Sequence, residues 1–247
     1  FYILGDIMNI INLEEVDSTN LYAKQNFALF DDKTAIIANR QTAGRGRFDR
    51  KWIDLGGENL FMSIVLKPST IFNCKYSNLT QYMCVVLAKT LEDYGLKPTI
   101  KWPNDVMVNN KKIAGILSET VIQGQNFYGL VLGIGVNINA EKNDLKQIKE
   151  RVATALNIEL ERAYEDKNLF AKKLLNKFFE NYREFLDGGF PYIKDEYVKR
   201  CKILGKNISV QIFNTRRSGV AKYISDTGEL IISEKGKEAV LTMGDIL

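Results

Sequence analysis

The sequence predicts an α/β (α+β) protein, a body of strands and helices followed by a small β-barrel. Three observations predict it. Strand-like and helix-like periodicities intersperse from about residue 9 into the 180s. Near residue 200 the pattern changes to short strand-like runs separated by turn signals. The chain has 247 residues, 45% hydrophobic and 26% charged, enough for one large domain or a larger and a smaller one. The boundary falls between Tyr197 and Gly205, giving units of 8–198 and 203–247.

In order, "NIINLEEV" (9–16) reads as a first strand. Asp17, Ser18 or Thr19 can cap a helix running to about Phe30. "TAIIANRQ" (34–41) is a buried strand, and "NLFMSIVLK" (59–67) alternates as another. Apolar residues at Leu79, Met83, Val86, Leu87, Leu91 and Tyr94 keep helical spacing, and Gly95 supplies a stop. "TIKW", "DVMVNNKKIAGILSE" and "YGLVLGIGVNIN" follow as strands. The middle piece reads as a hairpin turning at Asn109-Asn110, because asparagine tolerates the positive φ such turns need. Helices are expected over about 143–156 and 167–187, the second ended by Gly188-Gly189. "NISVQIF", "SGVAKYIS", "GELIIS" and "EAVLTM" make the barrel. Residues 1–7 read poorly as a natural start before Met8 and carry no function.

Composition excludes several chemistries. There is no histidine, so a Ser-His-Asp or Cys-His nucleophile and any His-ligated metal are ruled out. Cys74, Cys84 and Cys201 are odd in number and far apart, which suggests no disulfide framework and a reducing cytoplasm. No apolar run approaches a membrane span. The net charge of +4 is too small for a broad nucleic-acid-binding face. The positive charge is local.

It concentrates in "GRGRFDRKW" (44–52), where Arg45, Arg47, Arg50 and Lys51 have only Asp49 as local counter-charge. Arginine presents a planar fork matched to carboxylate or phosphate oxygens, and Gly44 and Gly46 let the backbone close on a ligand. An anionic small molecule and an exposed basic or RNA-binding loop explain this stretch about equally well. In "KWPNDVMVNNKKIAGILSE" (101–119), Pro103 breaks the ladder and exposes Asn104 and Asp105 beside the sheet, with Lys112 just after the turn and Gly115 three residues on. An isolated "NNKK" would more often be a solvated turn. In "GIGVN" (133–137), Gly133, Gly135 and Asn137 share one strand face, leaving a slot for a ligand or for a helix packed over it.

Together these stretches decide. "EVDSTN" (15–20), "QTAGRGRFDRKW" (41–52), "KWPND…KKIAGIL" (101–117) and "GIGVNIN" (133–139) resemble, in order and in spacing, the signatures of biotin–protein ligases, or biotin–[acetyl-CoA-carboxylase] ligases. The likeness runs through nearly the whole chain, departing at Asp49, where that loop often has glycine. It implies a class II synthetase-like mixed β-sheet with flanking helices and an SH3-like C-terminal barrel. It also implies adenylation of biotin by ATP with Mg2+, then transfer of biotin to a lysine of a biotin carboxyl carrier domain.

By position, the resemblance puts Ser18, Thr19, Asn20 and Gln41 around the biotin head group. Gly44, Arg45, Gly46 and Arg47 cover the carboxylate and adenylate phosphate, with Lys112 and Gly115 beside them. Arg47, Arg50, Trp52, Lys112 and Asn137 meet ATP, and Asp105 orients the acceptor lysine. Lys112, Arg47 and Asp105 are the implied catalytic set. With few residues before "EVDSTN", the resemblance implies the short form, with no DNA-binding domain, no nucleic-acid or membrane partner and a cytoplasmic location; it leaves a homodimer open. The rivals are a lipoate–protein ligase-like enzyme and a nucleic-acid-binding module using Arg45, Arg47 and Arg216-Arg217.

Overall fold

β1 (Ile10–Val16), β2 (Ala35–Gln41), β3 (Leu60–Leu66), β4 (Thr99–Lys101), β5 (Asp105–Val108), β6 (Lys111–Gln123) and β7 (Asn126–Val136) form one sheet in the order β1-β2-β3-β7-β6-β5-β4. The computed structural model describes residues 9–48, 50–56, 58–69, 71–148 and 152–247. Residues 1–7, Met8 and Asp49, which the sequence readings touched, lie outside the described residues. β1 and β2 run parallel, and the other neighbours pair antiparallel. The sheet is therefore mixed. β3 lies inside the sheet and is buried at every position, so its apolar run is continuous rather than alternating.

The β5–β6 hairpin turns at Asn109 and Asn110, both at positive φ (50° and 60°), as a two-residue primed turn requires. One feature of it is invisible in the pattern. Val106 pairs with Ala114 but Met107 with Lys112, so Ile113 is an extra, bulged residue. The bulge shifts the alternation and lets Lys112 and Gly115, three residues apart, share a face.

Helices cover both faces. α1 (Thr19–Gln25) lies with Phe27, Ile36, Val65 and Val131 in a small cluster of its own. It is shorter than the sequence suggests: it ends at Asn26, whose side chain donates to Tyr22 O (2.9 Å), and a 3-10 turn follows at Phe27–Leu29. On the other face α2 (Leu79–Glu92) packs against α5 (Lys167–Glu180), α7 (Phe190–Arg200) and β6. Gly95 follows α2 at φ 81°, as expected of a helix stop.

The single helix expected over 143–156 does not form. α3 (Lys142–Leu145) and α4 (Leu156–Glu159) are four residues each, and Ala153 between them bridges to Lys112. Lys112 N donates to Val152 O and Thr154 N to Lys112 O, both at 2.9 Å, so the sheet claims that backbone. Residues 149–151 are outside the described residues. The helix expected over 167–187 is broken at Asn181 into α5 and α6 (Tyr182–Gly188). α7, with Pro191 in its first turn, follows Gly189 (φ 65°) and was not anticipated.

β8 (Asn207–Ile212), β9 (Thr215–Ile224), β10 (Leu230–Glu234), β11 (Lys237–Leu241) and β12 (Asp245–Ile246) make a second, antiparallel sheet in the order β11-β10-β9-β8-β12. Its buried side chains, including Val210, Leu230, Ile232 and Leu241, join the cluster that fills the main body. Trp102 Nε1 and Gln81 Nε2 both donate to Gly228 O, at 3.1 and 2.8 Å. Among the described residues no helix is long and apolar enough to cross a membrane.

Candidate active site

A cavity of about 550 Å3 opens beside the β6–β7 pair, beneath the loop that follows β2. The residues that the resemblance places at the site line it, except Gly44. A Cβ on Gly44 would fall 2.4 Å from Trp52 O, so this glycine lets the two arms of the loop close on each other and does not face the cavity.

One end of the cavity is built from α1 and β2. Ser18 caps α1, its Oγ accepting from Leu21 N (3.5 Å). Gln41 Oε1 accepts from Thr19 N (2.8 Å) and Thr19 Oγ1 (3.2 Å). Asn20 lies on Gly133, where a Cβ would come within 2.2 Å of its Oδ1. Trp52 likewise fills the space over Gly135, where a Cβ would come within 2.6 Å of Cε2, and it also touches Gly115. Gly115 and Gly135 are paired across β6 and β7. The slot left by the glycines is thus occupied by Asn20 and Trp52, side chains that themselves line the cavity. Among the described residues the buried Trp52 indole N–H has no hydrogen-bond partner, a donor that a ligand could satisfy.

The loop closes through Gly46 N to Arg50 O (2.7 Å) and Trp52 N to Gly44 O (2.9 Å). Several of its cations reach acceptors far away in sequence. Arg50 reaches Asp245 (2.8 Å) and Arg47 approaches the same carboxylate (3.7 Å). Arg47 also donates to Asn104 Oδ1 (3.1 Å) and Gly244 O (3.2 Å), and Arg45 pairs with Glu119 (3.3 Å). Phe48, at φ 53°, stacks edge-on against Phe213 of the β8–β9 turn. Among the described residues, counter-charges for the loop reach it from β12 and β6.

At the other end Lys112 Nζ sits 2.6 Å from Asp105 Oδ1 and 5.3 Å from the centre of a Trp52 ring. Lys112 is no solvated turn residue, with a side chain 18% exposed. Asn104 and Asp105, expected to be exposed, are buried: Asn104 Nδ2 donates to Ile116 O (2.9 Å) and Asp105 starts β5 opposite Gly115. Asn137 is buried as well and donates to Thr154 O (2.9 Å).

These groups suit a bipartite ligand, with a polar head at the Thr19–Gln41 end and anionic groups between Arg47, Arg50 and Lys112. Residues 13–137 match the family model described as Biotin/lipoate A/B protein ligase family. The chain belongs to that family.

The bifunctional ligase/repressor BirA of Bacillus subtilis is 32% identical over 202 residues, covering 81% of this chain and 61% of that protein. A biotin–[acetyl-CoA-carboxylase] ligase of Paracoccus denitrificans is 28% identical over 242 residues, covering 95% and 98%. The first curated relatives are longer: the chain spans 61% of their length. Among solved structures, a biotin protein ligase from Aquifex aeolicus in complex with biotin and ATP superposes with a TM-score of 0.81 at 28% identity, over 98% of both chains.

Four further residues touch the side chains that line the cavity: Asn104 and Asp245 within its lining, Ser63 and Glu119 behind it. Asn104 was quoted only as a neighbour of Asp105, yet it orients Arg47. Ser63 donates to Asn20 Oδ1 (2.6 Å) and lies 2.8 Å from Thr19 Oγ1; a lone serine in the apolar run of β3 was the available signal. Asp245 and Glu119 gave none, because charge pairing across about 75 to 200 residues is not visible along a chain. Burial acts to raise the Glu119 carboxyl, but hydrogen bonds from Asn20 and Lys24 and the charges of Lys24 and Arg45 outweigh it and hold it below the usual range.

Proposed function

We propose that this protein is a biotin–protein ligase. It condenses biotin with MgATP to biotinyl-5′-AMP and pyrophosphate, then transfers biotin to a lysine of a biotin carboxyl carrier domain. The observation that carries the reading is the Lys112–Asp105 pair (2.6 Å) set between a polar pocket and an arginine loop in one cavity. Membership of the family and the likeness to ligand-bound biotin protein ligases support it.

The chemistry follows from charge placement. The biotin carboxylate is already a nucleophile, so attack on the α-phosphorus needs positioning and neutralisation, not a histidine base. Negative charge grows on the phosphoryl oxygens as pyrophosphate leaves. Lys112, held by Asp105, is a preorganised cation for that charge. Arg47 and Arg50 face the phosphates, exchanging part of their contact with Asp245 for the ligand's oxygens. Trp52, packed over Gly135, and Asn137 form the wall for the nucleotide, with Gly115 beside the biotin carboxylate. Ser18, Thr19, Asn20 and Gln41 take the biotin head group, and Arg45 and Gly46 cover its carboxylate. In the second step the acceptor amine attacks the acyl carbon, AMP leaves with the phosphate oxygen, and Asp105 orients the amine. Magnesium enters with the nucleotide; among the described residues no cluster of three acidic or cysteine side chains offers it a site of its own.

Pyrophosphate release with biotin and with lipoate, measured side by side, tests the reading. Release with biotin is expected. Release with lipoate alone assigns the family's other chemistry. Steeply salt-sensitive duplex or RNA binding without turnover of either acid would favour a nucleic-acid module.

A further inference from the structure

Glu119 on β6 has no place in the reading above, yet three donors from two other segments converge on its carboxylate. Oε2 accepts from Asn20 Nδ2 at 3.0 Å. Oε1 takes Lys24 Nζ at 3.0 Å and Arg45 Nη1 at 3.3 Å. Asn20 and Lys24 stand one helical turn apart on α1, and Arg45 belongs to the loop that covers the cavity. The side chain is 15% exposed, so these contacts are poorly replaced by water.

The consequence for Asn20 is directional. A side-chain amide can sit either way round unless its neighbours forbid one orientation. Here Nδ2 faces two groups that can only accept, Glu119 and Leu117 O (3.2 Å). Oδ1 is therefore turned to Ser63, whose hydroxyl donates to it at 2.6 Å. Ser63 in turn touches Thr19 (2.8 Å), and Thr19 touches Gln41. The Glu119 charge thus fixes the orientation of Asn20, and a run of polar contacts through Ser63 joins it to Thr19 and Gln41 at the head-group end of the cavity. The same carboxylate anchors the Arg45 guanidinium against the repulsion of its neighbours Arg47 and Arg50.

We propose that Glu119 is a positioning residue for the carboxylic-acid substrate: it sets the donor–acceptor polarity of the head-group pocket and holds Arg45 over it. This rests on the biotin ligase reading. Glu119 touches no reacting atom and acts through Asn20 and Arg45.

The test is the Glu119→Gln variant, equal in shape and without charge, assayed by pyrophosphate release against biotin at saturating MgATP and against MgATP at saturating biotin. Losing hydrogen bonds to a charged partner raises the KM for biotin about tenfold or more, while the KM for ATP stays within about twofold. A purely structural role would lower melting temperature and kcat and leave the ratio of the two KM values unchanged; that result overturns the proposal, as does an unaltered KM for biotin. If Glu119→Gln does not fold, Glu119→Asp, which keeps the charge but withdraws the carboxylate from Asn20 and Arg45, must give the same split. Lys24→Met, which removes a partner outside the pocket, is expected to leave both KM values within about twofold. A parent that adenylates lipoate instead of biotin defeats the proposed function alone, and the same split is then read with lipoate. A parent that adenylates neither acid overturns both.

Discussion

Lys112→Ala separates chemistry from stability, because the proposed reaction uses the side chain as a cation and the structure pairs it with a buried carboxylate. In the transition state of adenylation the ammonium is asked to stabilise charge that grows on the phosphoryl oxygens, and removing one such preorganised donor costs ~3–4 kcal/mol, or about a hundred- to a thousand-fold in rate. A turn lysine in solvent would cost under about half a kcal/mol in stability. This lysine is different: it sits 2.6 Å from a carboxylate whose side chain is only 5% exposed. Breaking a fully buried pair costs about 3–5 kcal/mol, whereas exposed pairs contribute about 0–1. The site opens to water on the Lys112 side, so a loss of roughly 1–3 kcal/mol lies between those limits. At about 2–4 °C per kcal/mol for a chain of this size, the drop in Tm is measurable. Adding Asp105→Asn removes the buried carboxylate's charge. The double variant is expected to regain most of the lost Tm but none of the lost rate in single-turnover formation of biotinyl-AMP. Recovery of the rate together with Tm would refute the assignment, as would equal damage from Lys111→Ala, whose partner Glu159 is 3.6 Å away on the opposite side of the strand.

Three further outcomes follow from particular contacts. Arg47→Gly deletes the bonds to Asn104 and Gly244 O and the contact with Asp245; escape of biotinyl-AMP is expected, read as biotin on lysines of a bystander protein, and retention equal to the parent would contradict it. Gly135→Ala places a methyl within 2.6 Å of Trp52 Cε2, so the indole must move. A shifted emission spectrum and a raised KM for ATP are expected, with unchanged emission as the contrary result. For pH, the Glu119 carboxyl is held below its ordinary 4.5 in the folded protein. Its contribution to stability is therefore complete above about 4.5 and is lost as pH falls through the lower folded value. The Tm difference between parent and Glu119→Gln should shrink on acidification below that point; a difference that widens would reverse the sign.

Much of the site was legible because chemistry and backbone demands coincide in short stretches. Asn109-Asn110 announced a turn that needs positive φ at two successive residues. The Arg–Gly alternation announced a loop built for close approach. The glycine strand announced missing side chains, though what fills the space over it is Asn20 and Trp52. What stayed hidden depends on distance or on backbone competition. The bulge at Ile113 follows from pairing register, not composition. The helix expected over 143–156 lost to hydrogen bonds with Lys112 from another element. α7 was passed over because the chain around Gly189 and Pro191 reads as a break, although proline in a first turn can open a helix. Burial of Asp105 and the partnership of Asp245 with the loop arginines require the folded sheet.

The central claim is transfer of biotin to one lysine of a carrier domain through an adenylate held in this cavity. The direct measurement is intact-mass and peptide mapping of a biotin carboxyl carrier domain after incubation with the protein, biotin and MgATP. The account predicts a single biotin-mass addition at one lysine, dependent on ATP and abolished by Lys112→Ala on the same timescale. An unmodified carrier domain in the presence of confirmed biotin and MgATP, or modification that persists at the parent rate without Lys112, would contradict it.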